Sequence, residues 1–115
     1  MSDKAILNKY HEVVPCDELL TWAEWMEKNK RVVAQDQVGP YFISTVFLGL
    51  DYSFGFGHPL YFETMVFIEN GEAEQFNIER YETYVQANKG HELKVEEVQK
   101  YLDSLNAKEN PNGKA

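Results

Sequence analysis

A chain of 115 residues with one cysteine, Cys16, has the length of a single domain and no internal disulfide framework. Its longest uncharged run, Gln37–Leu50, is shorter than the roughly 20 residues of a membrane-spanning helix. With 19 acidic against 11 basic residues and a net charge of -8, it is excluded from binding nucleic acid through a broad basic surface.

Two roles for the negative charge stay open: solubility, or acidic mimicry of a phosphate backbone at another protein's nucleic-acid site. The scattering of the acids along the chain favours solubility. The N-terminus, MSDKAILNKY, has neither an apolar signal core nor a small-residue cleavage site, so a cytoplasmic location is expected.

The first predicted element follows Pro15: a helix from Asp17 to Asn29. Asp17 is its N-cap, Glu18 lies in its first turn, and Lys28, Lys30 and Arg31 crowd its C-terminus. Leu19, Ala23 and Met26 share a face flanked by Trp22 and Trp25, more apolar surface than one packing contact requires. The two indoles either cover the sheet or anchor a partner protein.

Four strands are predicted next. Arg31–Val38 is stopped by Gly39-Pro40. Tyr41–Leu50 is continuously apolar apart from Ser44 and Thr45, which calls for cover on both faces. In Leu60–Glu69, Leu60, Phe62, Val66 and Ile68 alternate with Tyr61, Met65 and Phe67. Asn70-Gly71 is a type I′ turn signal that closes a hairpin onto Glu72–Arg80, with Met65 opposite Phe76, Glu63 opposite Ile78 and Glu69 opposite Glu72.

The last element is an amphipathic helix N-capped by Thr83. Tyr84, Ala87, His91, Val95, Val98, Leu102 and Leu105 recur on one face at spacings of three and four. Gly90 inside it implies a close backbone approach, a bend or a break. The expected fold is α+β: a helix, a four-stranded, mostly antiparallel meander, and a C-terminal helix packed on the sheet. The domain spans 1–105, and a disordered polar tail, 106–115, follows.

Three residues are weak catalytic candidates. His91 interrupts an apolar helical face, Glu63 interrupts an apolar strand, and Asp51 ends the second strand; they carry the alternative reading, a small pocket enzyme or ligand-binding domain, to the expected non-enzymatic protein-binding module. A structural Glu63–Arg80 or Glu63–His91 pair is the simpler reading. The loop Asp51–Pro59 carries Tyr52, Phe54, Phe56 and His58, candidate binding residues on a scaffold where loops concentrate function. Asp51, His58, Glu63 and His91 offer mixed oxygen and nitrogen metal ligands, but no HxxxH, HxH or cysteine pair supports them. Neither GxGxxG nor GxSxG occurs, so no metal, cofactor or catalytic triad is expected.

The segments STVFLGLDYSFG, HPLYFETMVF and RYETYVQANKGHE resemble a pattern of small uncharacterised proteins encoded by tailed bacteriophages and prophages. The resemblance runs from about His11 to Val98, with Asp51, Phe62, Glu63, Thr64, Met65, Arg80, Tyr81, Gly90 and His91 on its positions. Tyr52 stands where the family usually has His, which counts against a ligand or general base there. The resemblance implies a phage accessory protein in the bacterial host cytoplasm. Its partner is a host or phage protein, in host takeover or counter-defence. An edge strand or a Trp22/Trp25 patch is also compatible with a homodimer.

Overall fold

The structure, a computed structural model, describes residues 3–109. In chain order the elements are β1 (Ala5–Leu7), β2 (Val13–Pro15), α1 (Leu19–Lys28), β3 (Val32–Val38), β4 (Tyr41–Phe47), β5 (Phe62–Ile68), β6 (Gly71–Glu72), β7 (Glu79–Tyr81) and α2 (Tyr84–Glu109). The result is the expected α+β fold, an antiparallel sheet with the C-terminal helix laid across it.

The sheet runs β3-β4-β5-β6, with β7 also pairing β5. Gly39, at φ 57°, supplies the positive φ of the two-residue turn that pairs Val38 with Tyr41. The next hairpin closes one residue earlier than its sequence suggests. Ile68 pairs with Gly71 and Phe67 with Glu72, so Glu69 and Asn70 are the loop residues and only Asn70, at φ 71°, is left-handed. The Glu69–Glu72 pair therefore does not form, and a I′ turn, which needs two left-handed residues, is ruled out.

The fourth strand is also split in two. After Glu72 the chain leaves the sheet because Ala73 and Phe76 turn into the core. Pairing resumes at β7, where Glu63 opposes Arg80 rather than Ile78.

An N-terminal hairpin precedes α1 and was not expected. Ala5, Ile6 and Leu7 pair with Pro15, Val14 and Val13. Its loop is organised by Asn8, whose Oδ1 accepts from the Tyr10 and Glu12 amides at 2.8 and 3.0 Å. The Ala5 amide donates to the Gly49 carbonyl (2.9 Å), and the Asp51 amide to that of Asp3 (2.8 Å), which ties the hairpin to the end of β4.

The N-cap of α1 is Glu18, not Asp17: its carboxylate accepts from the Leu20 and Thr21 amides and is held below the usual carboxylate range by Thr21. The inner face consists of Trp22, Trp25 and Met26, while Leu19 and Leu20 are exposed. In α2, Thr83 Oγ1 accepts from the Gln86 amide at 3.1 Å. Gln86 Oε1 in turn accepts from the Thr83 and Glu82 amides, which completes a capping box. Helical structure continues through Glu109, so Asn106–Glu109 are not the disordered tail expected; residues 110–115 lie outside the described ones. Among the described residues no helix is long and apolar enough to cross a membrane.

All apolar cover for the sheet lies on the side of α2. One cluster joins Tyr41, Ile43, Val66, Phe76 and Val98; the other joins Ala5, Phe47, Tyr61, Phe62 and Ala87, with Trp25 edge-on to Phe47. On the opposite face Phe42, Val46, Met65 and Phe67 are half-buried and belong to neither cluster. The two-sided cover expected of β4 is therefore present on one side.

Candidate functional site

The loop expected to carry function is closed at its base by Asp51. Its Oδ1 accepts from the Ser53 and Leu60 amides at 2.8 and 2.9 Å, and the Tyr52 amide donates to the Leu60 carbonyl at 2.9 Å. Burial works to raise the Asp51 pKa, but the bonds from Leu60 and Ser53 outweigh it and hold the carboxylate below its usual value. The loop is thus closed at its base and projects from the sheet. Phe54 sits in the left-handed region at φ 54°, a conformation that costs a residue with a Cβ about 1–2 kcal/mol.

That conformation turns Phe54 outward: it is 76% exposed, and Phe56 is 85% exposed. Two further exposed apolar side chains, Tyr10 (69%) and Val85 (78%), belong to the N-terminal hairpin and the first turn of α2. Between hairpin, loop and helix start runs a groove of about 800 Å3, with Tyr10, Val13, Pro15, Pro59, Tyr61, Tyr84 and Val85 along it. Its carboxylates are Glu12, Asp51 and Glu82. The His11 ring stacks on Tyr84 at 4.2 Å, and His58 Nδ1 lies 3.7 Å from Glu82.

His91 is buried, but not as an isolated core histidine. Its Nε2 lies 2.7 Å from Asp36 Oδ2 and its Nδ1 lies 2.7 Å from Thr45 Oγ1. Thr45 bonds Thr64, and the Tyr81 hydroxyl donates to Thr64 at 3.1 Å. Asp36 accepts, so Nε2 carries the proton. With a neutral imidazole, Tyr81, Thr64 and Thr45 each donate one hydroxyl proton toward Nδ1, so every polar atom in the seam has a partner. Burial raises the Tyr81 pKa, which keeps that hydroxyl a donor. Asp, His and Thr are connected here as in a nucleophile triad, yet Thr45 is fully buried and lines neither the large groove nor the smaller cleft beside Trp25. The seam lies between the two apolar clusters and fixes how α2 sits on the sheet.

Glu63 faces the other way. Strand alternation puts Thr64 toward α2 and Glu63 on the open face, where Arg80 Nε donates to it at 3.0 Å. The Arg80 guanidinium in turn lies 5.2 Å from the Tyr52 ring centre. The Glu63–Arg80 pair expected from sequence is therefore present, and Glu63 and His91 lie on opposite faces of the sheet. Of Asp51, Glu63 and His91, only Asp51 lines the groove, so the three do not assemble into one site. Asp51, His58, Glu63 and His91 likewise do not converge; among the described residues no group of three or more His, Cys, Asp or Glu is placed to hold a metal.

Trp22 and Trp25 turn inward: Trp22 Nε1 donates to the Gly49 carbonyl at 3.0 Å, and Trp25 packs on Phe47. Sequence reasoning missed Tyr10, Glu12, Glu82 and Val85 on the groove, the exposed Asp36 that holds His91 from outside, and Thr45, Thr64 and Lys94 in the interior. Lys94 is almost fully buried, and its Nζ donates to the Asn77 carbonyl (3.1 Å) and to Glu97 (3.0 Å), pinning the loop after β6. The hydroxyls that interrupt two apolar strands, Thr45 and Thr64, were the one available signal of an internal polar seam.

Comparison of the chain with protein-family models, with curated proteins and with solved structures gave no match.

Proposed function

We propose that the protein is a non-enzymatic binding module that captures a protein partner in the groove between the N-terminal hairpin, the 51–59 loop and the start of α2. The observation that carries this reading is a groove lined by the well-exposed Tyr10 and Val85, beside a loop whose Ser53, Gly55 and Gly57 line it and whose Phe54 and Phe56 are left exposed. Phe54 keeps a ring contact with Tyr52, at 6.0 Å between centroids, yet its strained backbone leaves most of the ring in water; strain of this kind is found where a surface is made for binding. The partner in this reading is a host or phage protein of the bacterial cytoplasm, met in host takeover or counter-defence; the resemblance to phage accessory proteins supports it.

Affinity capture from bacterial lysates, run in parallel with wild type and a Phe54→Ser/Phe56→Ser variant, tests the reading. A protein retained by wild type and lost by the variant is the expected result. Identical retention by both forms, or no specific retention across several hosts, contradicts it.

A further inference from the structure

We infer that the groove takes a basic partner segment, one in which a lysine or arginine stands beside an apolar side chain. The inference rests on the groove being the binding site and adds the chemistry of what enters it. Glu12, Asp51 and Glu82 line the groove, and among the described residues no lysine or arginine does. Lys9 and Lys30 line the separate smaller cleft beside Trp25, with the Lys9 ammonium 5.1 Å from the Tyr10 ring centre, and Lys4 pairs with Asp3.

Tyr61 stands in the groove wall. Burial raises the phenol pKa first, and the charges of Asp51 and Asp3 raise it further. Asp51 is itself held ionised by the Leu60 and Ser53 amides, so it stays a charge at neutral pH. An apolar partner that closed the groove would strip water from these carboxylates without replacing it, and an acidic partner would add repulsion. A guanidinium or ammonium offsets both. The net charge of -8 steers such a segment inward at a distance.

The test uses three fluorescein-labelled peptides with one Phe-Pro-Leu core, flanked by arginines, by glutamates or by serines, and reads anisotropy at low and high salt. The arginine peptide is expected to bind most tightly and to weaken as salt rises. A Glu12→Gln/Glu82→Gln variant, its fold checked by its melting temperature, should lose about tenfold in affinity for the arginine peptide and little for the serine peptide. Equal binding of arginine and serine peptides, both lost in Phe54→Ser/Phe56→Ser, would overturn the basic-segment inference and leave the groove as the binding site. No binding of any peptide, or binding indifferent to both variants, overturns the two together.

Discussion

At the scale of single residues, the interior is decided by hydrogen-bond direction. Removing His91 leaves the Thr45 hydroxyl without its acceptor in a site from which water is excluded, and also opens a cavity. His91→Ala is therefore expected to destabilise by about 2–4 kcal/mol, read as a lower midpoint in urea or heat. The double variant with Thr45→Val should cost less than the two single changes added, because the second change removes the orphaned hydroxyl; strict additivity would show the seam is not coupled. Phe54 is the opposite case. Phe54→Asn relieves the left-handed strain, and is expected to raise stability by up to about 1 kcal/mol while weakening capture of the partner. A residue present for the fold could not give that combination.

At the scale of elements, the helical face of α2 and the antiparallel order were legible because each depends on local period or turn chemistry; the Glu63–Arg80 pair was one of two partners offered by a lone carboxylate on an apolar strand, and the register that forms it was not legible. The register of the second hairpin was not. Asn70-Gly71 favours one turn in isolation, but burying Ala73 and Phe76 favours closure one residue earlier, and packing outweighs the local preference. The N-terminal hairpin escaped notice because strands of three residues carry almost no alternation, and its anchors, Gly49 and Asp3, are backbone carbonyls. His91 stood out as buried and polar, whereas Asp36 and Thr45 are joined to it only by the fold.

Gly90 tests the helix–sheet contact directly. A Cβ there would run into the Tyr81 ring, so Gly90→Ala should destabilise although alanine is the better helix former by about 1 kcal/mol. A more stable Gly90→Ala protein would mean that Tyr81 is not held against the helix. Similarly, Ile43→Ala, on the α2 face, should cost clearly more than Phe42→Ala on the open face, despite the larger ring lost from the latter.

At the scale of the whole molecule, Asp51 joins three parts: the end of β4, the 51–59 loop and, through its amide, the N-terminal hairpin. Its pKa is depressed in the folded state, so its contribution is complete above the ordinary value of 3.8 and disappears as pH falls below that toward the folded value. Asp51→Asn should be less stable than wild type at neutral pH, and the gap should close as the pH drops below about 4. A gap that widens in acid would contradict the assignment. The same residue places a fixed negative charge in the groove, so one side chain both holds the binding loop and sets the charge its ligand meets.

The most direct measurement of the central claim is a titration of isotopically labelled protein with the arginine-flanked peptide, followed by amide chemical shifts. The account expects shifts concentrated at Tyr10–Pro15, Asp51–Pro59 and Glu82–Val85, the three segments that enclose the groove. Shifts centred instead on Phe42, Val46, Met65 and Phe67, or no shifts at saturating peptide, would show that the groove is not where this protein meets its partner.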